Sequence, residues 1–217
     1  IEQYLKIKRV KAVLLANDPC LHHCALTAYH NNVLSHQTGD EAEAPSYCRL
    51  HCTREFLRAP HKYISASFIR PEDLKIYQDI GYKLFKLCDR KQTTKWIERA
   101  LNAYLNRSYQ GNLADLMAPW NKLAGTYPDP KEIIRDDIKQ GGIDGLRDEL
   151  RSTPFIDNSQ LEGYLEFWLN RKPNGCRDEN CQFCDYCKIL ADKAININKR
   201  ETIKKNIDVA LDFLVSK

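Results

Sequence analysis

The sequence predicts an α/β fold in which parallel strands alternate with helices, followed by a mostly helical extension rich in cysteine. Three observations lead to this prediction. Hydrophobic residues make up 43% of the 217-residue chain, which is enough to build a core. In the first half, short apolar runs alternate with segments whose apolar residues recur at helical spacing. In the second half, proline and glycine separate short amphipathic segments, and four cysteines lie close together.

Three strands are predicted in the first half of the chain. The first covers residues 8–16, and its apolar run stops at a loop that opens at Asn17. The second strand covers residues 63–69 and the third covers residues 82–88, where lysines are interspersed among apolar residues.

Helices are predicted between and after these strands. Pro71 lies at an early position of a helix that runs to residue 80 and stops at Gly81. Thr93 or Thr94 caps the next helix, which ends near residue 109. Further helical segments are predicted at residues 161–169 and from residue 188 onward.

This order of elements implies parallel strand pairing with helices covering the sheet. Ligands of such folds bind at the carboxyl ends of the strands, which here are residues 17–24, 69–71 and 88–90. We therefore predict an α/β domain over residues 1–117 and a helical extension over residues 118–217.

Composition excludes several classes of protein. The 33 Lys and Arg residues nearly balance the 29 Asp and Glu residues and are mixed with them, so general nucleic-acid binding is not favoured. The longest apolar run, residues 12–16, is far shorter than the roughly 20 residues of a membrane helix. Nine cysteines at short spacings indicate reduced thiols and predict a cytoplasmic protein. The start at Ile1 suggests a fragment or a processed chain.

The first cysteine set consists of Cys20, Cys24, Cys48 and Cys52. Each pair has the spacing that places two thiolates on one face of a helical turn. Four thiolates are the ligand count of tetrahedral zinc and of an iron–sulfur cluster. The alternative is four buried cysteines that bind nothing and pack as small apolar side chains.

The second cysteine set consists of Cys176, Cys181, Cys184 and Cys187. Structural zinc sites usually divide their ligands into two pairs that are separated by a longer loop. Dense spacing of the present kind instead resembles the runs that wrap an iron–sulfur cluster, so a cluster is favoured here and zinc is the alternative. One or two iron–sulfur clusters are therefore expected in the chain, with zinc as the alternative.

All histidines lie near the first cysteine set. They are His22, His23, His30, His36, His51 and His61. Such a group could donate hydrogen bonds to cluster sulfurs, bind an anion or move protons, and the alternative for each one is a surface or packing role. We take His22, His23 and His51 as substrate-binding candidates.

Two arginines near predicted strand ends are further candidates. Arg70 and Arg90 could each hold a substrate carboxylate through two hydrogen bonds, and a solvated arginine is the alternative. Cys88, the ninth cysteine, ends a predicted strand and faces either the core or the site, and packing in the core is the favoured interpretation. The sequence contains no phosphate-binding glycine loop, metalloprotease helix or serine nucleophile elbow, so a self-sufficient hydrolase is not favoured.

The stretch 63–104 resembles the collagenase-like peptidase family of unknown catalytic type, numbered thirty-two. The resemblance rests on a strand followed by the helix start RPEDL at 70–74, a strand ending in KLCDR at 86–90, and a helix that finishes in Ala103-Tyr104. The placement of two cysteine pairs upstream is also similar, and the resemblance extends over about residues 8–112. Asp89 stands where the family usually has glycine, and the first cysteine pair is closer together than is common.

The resemblance implies a fold and a chemistry. The strands would be the later part of a TIM-like barrel, whose first half would be absent or supplied by a protein partner. Relatives are oxygen-independent hydroxylases with a 4Fe–4S cluster on four cysteines, acting on ubiquinone precursors or RNA bases with prephenate as the oxygen source. Residues that match the cluster ligands are Cys20, Cys24, Cys48 and Cys52, and Arg90 matches the motif arginine.

Three functions follow from these patterns. The favoured one is an iron–sulfur protein that acts in an oxygen-independent hydroxylation or a related redox step. The second is a non-catalytic subunit or binding module that zinc or a cluster stabilises. The third is a peptidase, which only the name of the family suggests. Partners are expected to be a small molecule or an RNA base and a further polypeptide, but not a membrane.

Overall fold

The first sheet of the protein is a parallel pair of strands. The computed structural model describes residues 11–22, 24–36, 44–88, 92–117, 154–170 and 184–215. Strand β1 (Val13–Leu15) pairs in parallel with β2 (Leu84–Lys86), with Leu14 opposite Phe85. This pairing is parallel, as the sequence predicts for the first and third of its strands.

The described chain is mainly helical. The α-helices are α1 (Thr27–His36), α2 (Ala44–Arg58), α3 (His61–Ile64), α4 (Leu74–Ile80), α5 (Thr94–Asn106), α6 (Tyr164–Leu169), α7 (Tyr186–Ala194) and α8 (Arg200–Val215). Short 3-10 helices cover Pro71–Asp73, Leu113–Leu116 and Asn158–Leu161. A second, antiparallel sheet pairs β3 (Phe155–Ile156) with β4 (Ile195–Asn196).

The prediction of a strand over residues 63–69 is wrong. Pro60 has the backbone angles of a right-handed helix and leads into α3, and the Tyr63 N–H donates to its carbonyl (3.0 Å). The chain becomes extended further on, where the Ile69 N–H donates to the carbonyl of Ala16 beside β1 (2.8 Å). The alternation of apolar and small residues indicated a strand, but the proline favours the first turn of a helix.

The cysteine- and histidine-rich stretch contains more helix than the sequence indicates. A loop-like centre is expected over residues 35–45, yet α1 continues to His36 and α2 begins at Ala44. Residues 37–43, the remainder of the expected loop, lie outside the described part of the chain.

The predicted ends of α4 and α5 are largely confirmed. Gly81 follows α4 with φ of 116°, a left-handed conformation that glycine adopts without strain. The Trp96 N–H donates to the Thr93 hydroxyl (3.3 Å), which is the expected cap of α5. The helix ends at Asn106, three residues before the predicted end, because Arg107 takes a left-handed conformation with φ of 52°.

The main core draws residues from both sides of the predicted division at residue 117. Its buried members include Phe56, Tyr63, Trp96, Leu113, Ile156, Leu161 and Cys187. A second core cluster packs under one face of the parallel sheet, where Leu14 and Phe85 contact Leu74 and Tyr104. The division into two domains stays a prediction.

The opposite face of the parallel sheet is exposed. Val13, Leu15 and Leu84 retain 52%, 45% and 45% of their surface, respectively. Among the described residues the strands form two separate two-stranded sheets, so a mixed helix and strand fold is established but a barrel is not. Within the same ranges, no helix has the length and apolar character needed to cross a membrane.

Candidate functional site

A buried asparagine joins the carboxyl ends of the two parallel strands. Asn17 directly follows Ala16, and only 1% of its surface is exposed. Its Oδ1 accepts a hydrogen bond from the Cys88 N–H (2.7 Å), and its Nδ2 donates to the carbonyls of Cys88 (2.5 Å) and Leu116 (3.1 Å). Asn17 therefore fixes the position of Cys88. Cys20, the first residue of the first cysteine set, follows Asn17 by three residues.

The segment that carries Cys20 and Cys24 forms turns at this strand end. The Ser67 N–H donates to the carbonyl of Cys20 (2.9 Å), which ties the segment to the chain that follows α3. The Cys24 N–H donates to the carbonyl of Leu21 (3.3 Å), which closes a turn before α1. The spacing of Cys20 and Cys24 predicted that they share one face of a helical turn, but they lie on successive turns of the chain instead. Both residues nevertheless lie at the predicted edge of the sheet.

The thiol of Cys20 is difficult to ionise. Its pKa is raised to about 11, chiefly by partial burial and then by the negative charges of Asp18, Cys24 and Cys88 in that order. Cys24 and Cys88 are therefore near enough to Cys20 for their charges to act on it. Cys88 packs against the main core, as interpreted, and it also belongs to this neighbourhood of Cys20. The position of Cys88 at the end of a predicted strand was the signal in the sequence that it lies near the candidate site.

The second pair of the first set lies on a helix, as its spacing predicts. Cys48 and Cys52 are one turn apart on α2, and Cys52 is half-buried against the main core. Across the described ranges, no group of three or more Cys, His, Asp or Glu side chains is already assembled as a metal site. Cluster binding by the first cysteine set stays a prediction.

The histidine candidates occupy different surroundings. His22 is exposed on the turn after Cys20, and His23 lies outside the described residues. His51 is half-buried on α2, with its Nδ1 3.1 Å from Nη2 of Arg54. His61, at the start of α3, has a lowered pKa because burial and then the nearby Lys188 disfavour its charged form.

Arg70 is buried and surrounded by protein acceptors. Only 4% of its surface is exposed. Its Nε donates to Oδ1 of Asn158 (2.9 Å), Nη2 donates to the Asn158 carbonyl (3.3 Å), and Nη1 donates to the carbonyl of Leu161. These contacts favour a structural role over substrate binding. Arg90, the other candidate, lies outside the described residues.

Two carboxylates complete the surroundings of Arg70. Glu72 and Asp73 each place a carboxylate oxygen 3.7 Å from its guanidinium. Glu72 also accepts hydrogen bonds from the Tyr109 N–H (2.6 Å) and from Nδ2 of Asn158 (2.9 Å). Burial raises the pKa of Asp73 to about 6 in spite of the arginine, which lowers it. This network ties the α/β unit to the chain after residue 154.

The described part of the second cysteine set lies at the start of α7. Cys187 is 6% exposed and belongs to the main core, whereas Cys184 is half-buried. Cys176 and Cys181 lie outside the described residues. Beside these thiols the ring of Tyr186 stacks on Phe167 with centroids 3.7 Å apart, and Tyr164 and Trp168 extend the same aromatic group.

Comparison with known proteins gives one relationship. The chain is 29% identical over 188 residues to the uncharacterized protease MJ1657 of Methanocaldococcus jannaschii. The chain is a distant relative of that protein. The match covers 86% of this chain but 46% of the relative, so the chain spans about half the relative's length. No family model matches the chain, and no solved structure matches it.

Proposed function

We propose that this chain is an iron–sulfur protein of the collagenase-like peptidase family that acts in an oxygen-independent hydroxylation or a related redox step. The first cysteine set would hold a 4Fe–4S cluster. The observation that carries the proposal is the position of Cys20 and Cys24 at the joined carboxyl ends of β1 and β2, where ligands of parallel sheets bind. A cluster there would supply one-electron transfer.

The donor set suits such a cluster in number and kind. Four cysteine thiolates are the usual ligands of a 4Fe–4S centre, and two of the four lie one turn apart on α2. The chain's own part is to hold these thiols. Asn17 holds the strand ends together, and Cys20 is exposed whereas Cys24 and Cys52 are half-buried.

The surroundings of Cys20 do not favour cysteine-peptidase chemistry. A nucleophilic cysteine needs a lowered pKa, which a neighbouring cation or a helix N-terminus usually supplies. Burial and the Asp18 carboxylate instead raise the pKa of Cys20 to about 11. A metal centre overcomes such a pKa directly, because a coordinating thiol is deprotonated by the ion. The word protease in the relative's name therefore does not decide this chain's activity.

A second candidate is a non-catalytic subunit that zinc or a cluster stabilises. The exposed apolar face formed by Val13, Leu15 and Leu84 favours it, because parallel sheets are normally covered on both faces. A further polypeptide, either a protein partner or the barrel half that the resemblance implies, would cover this face. The relative is about twice as long as the part that matches, which accommodates such a segment.

The test is the metal and sulfide content of protein purified without oxygen, with its absorbance spectrum. About four iron and four sulfide per chain are expected if the first cysteine set alone holds a cluster, and about eight of each if the second set holds another. Cys48→Ala should lose the iron and sulfide of the first set. Cys88→Ala is the matched control, since it removes a neighbouring thiol that is not among the proposed ligands.

The outcomes separate the two candidates. Full iron and sulfide in Cys48→Ala would show that the ligand assignment is wrong. Zinc without sulfide would make both cysteine sets structural and favour the binding subunit. With a cluster established, assays with quinone precursors and RNA bases under anaerobic conditions would identify the substrate class.

A further inference from the structure

The helix that carries Cys48 and Cys52 is held along one side by the C-terminal helix of the described chain. Helix α8 packs against α2. Its residues Ile203, Ile207 and Leu211 are spaced four apart and are at most 3% exposed. Side chains at this spacing lie on one face of a helix. Helix α8 therefore contributes a buried apolar stripe to the helix pair.

An arginine at the start of α8 binds the end of α2. Nε of Arg200 donates to the carbonyl of Leu57 (2.5 Å), and its Nη2 donates to the carbonyl of Arg58 (3.0 Å). These carbonyls lie in the last turn of α2, where a helix leaves carbonyl groups without partners of its own. A cation at this position also interacts favourably with the negative end of the helix dipole.

A second contact joins the helices closer to the cysteines. Nη1 of Arg54 lies 3.7 Å from Oδ1 of Asp208 on α8. The same guanidinium lies 3.1 Å from Nδ1 of His51, the neighbour of Cys52. The Arg200 contacts lie at the last turn of α2, and the Arg54 contact lies about one turn earlier. Together they restrict both the sliding of α2 along α8 and its rotation against α8.

We propose that Arg200 is a positioning residue for the first cysteine set, because it sets the height and the rotation of the Cys48–Cys52 pair. This inference rests on the proposed function, since it takes the pair as cluster ligands. Bonds from a metal to thiolate sulfur are about 2.3 Å long and tolerate little displacement. One residue of helical slip rotates a side chain by about 100°. Holding the end of α2 therefore fixes the height and the rotation at which this helix presents positions 48 and 52.

The experiment compares Arg200→Ala with Lys204→Ala. Lys204 carries the same charge on the same helix, and its Nζ pairs with Glu201 of α8 at 2.8 Å. The measurements are the rate at which a chelator removes iron from the anaerobic protein and the electron paramagnetic resonance spectrum of the reduced cluster. We expect Arg200→Ala to lose iron about tenfold faster and to change the spectrum, since supporting contacts of metal ligands have effects of this size. Lys204→Ala should behave as the wild type.

A conservative variant and an unfolding curve separate positioning from general stability. Arg200→Lys should restore the rate only in part, because one ammonium group cannot reproduce the two-pronged contact. If Arg200→Ala does not fold, Arg200→Lys is compared with Lys204→Ala in its place. A variant that unfolds at lower urea but keeps the wild-type rate of iron loss and the wild-type spectrum would overturn the inference.

The result also distinguishes this inference from the proposed function. Wild-type protein without iron and sulfide would show that the proposed function is wrong. Cobalt(II) would then report on the same thiols through its thiolate charge-transfer absorption. Equal absorption in the wild type and in Arg200→Ala would overturn the positioning role, and a wild type that binds no cobalt would overturn both proposals.

Discussion

The two cysteine-bearing regions of the chain differ in what surrounds the sulfur atoms. At the strand ends, Cys20 and Cys88 lie beside the buried Asn17, whose side chain makes three hydrogen bonds to the backbone. At the start of α7, Cys187 is buried among apolar and aromatic side chains of the main core. Short spacing between cysteines is common to both regions, but only the first lies where parallel strands place ligands. Spacing alone therefore does not determine whether a cysteine lies at a strand end or in the core.

The largest effect is expected when the hydrogen bonds of the first region are removed. Asn17→Ala removes the hydrogen bonds of the Asn17 side chain with the N–H and the carbonyl of Cys88 and with the carbonyl of Leu116. We expect the free energy of unfolding, measured with urea, to fall by about 3 kcal/mol, since several buried polar groups lose their hydrogen bonds.

Asn106→Ala, at the exposed end of α5, is the matched control and should change stability by less than about 0.5 kcal/mol. Equal losses in the two variants would contradict the role of Asn17 as the link between the strand ends.

The second region is tested by comparing its two described cysteines without metal. Cys187→Ser places a hydroxyl in the apolar core and should lower the free energy of unfolding by about 1–2 kcal/mol. Cys184→Ser, at a half-buried position, should have less than about half of that effect. Urea unfolding with chelator and reductant present measures both. A larger loss in Cys184→Ser would contradict the packing role of Cys187.

The Arg70 network ties the α/β unit to the chain after residue 154, and its contribution to stability should depend on pH through Asp73. Burial raises the pKa of this carboxyl to about 6, above the value of about 3.9 in an unfolded chain. The folded state therefore binds the proton more tightly, so this group's contribution to stability is complete below pH 4 and is lost as the pH rises through 6. Asp73→Asn should raise the free energy of unfolding at pH 8 by about 1 kcal/mol after solvent screening, but not at pH 4.

The control for this pH dependence is Asp79→Asn. Asp79 is exposed on α4 and pairs with Lys75, so its removal should have little effect at either pH. Urea unfolding at the two pH values measures the difference. If Asp73→Asn destabilised the protein at pH 8, the Arg70 ion pair would outweigh the cost of burying the carboxylate.

The smallest effect on stability is expected on the exposed face of the parallel sheet. Leu84→Lys adds a charge to a position that is 45% exposed, so the free energy of unfolding should change by less than about 0.5 kcal/mol. Its effect should instead appear as reduced self-association in sedimentation velocity, because an exposed apolar sheet face binds other chains. Leu105→Lys, on α5 at 69% exposure, is the control. An equal reduction of self-association by Leu84→Lys and Leu105→Lys would show that the sheet face contributes no more to it than another exposed apolar position.

Local signals in the sequence predicted the α/β unit well. The cap at Thr93 and the glycine after α4 depend on residues within a few positions of each other, whereas the parallel pairing joins strands 71 residues apart and followed from the order of the elements. The strand predicted at 63–69 was wrong because alternation of apolar residues was given more weight than Pro60. The barrel is not part of the described structure, since the strands there form two separate pairs.

The candidate site was predicted less completely. Cys20 follows β1 at the strand end and Cys48 and Cys52 share a helix, as expected, but their role as ligands stays a prediction. The hydrogen-bond acceptors of Arg70 on Asn158 and Leu161 lie 88 and 91 residues away along the chain, so no local pattern identifies it as a buried structural arginine. The bond between Asn17 and Cys88 spans 71 residues and was missed for the same reason.

The sequence by itself determined which segments form strands and helices in most of the α/β unit and where the cysteines concentrate, because capping, periodicity and spacing act over a few residues. Only the tertiary structure decided the surroundings of each group. It placed Cys187 in the core, Arg70 among buried acceptors and Arg200 at the end of α2. Burial and long-range hydrogen bonds depend on which segments pack together, and a single sequence does not encode that packing in any short pattern.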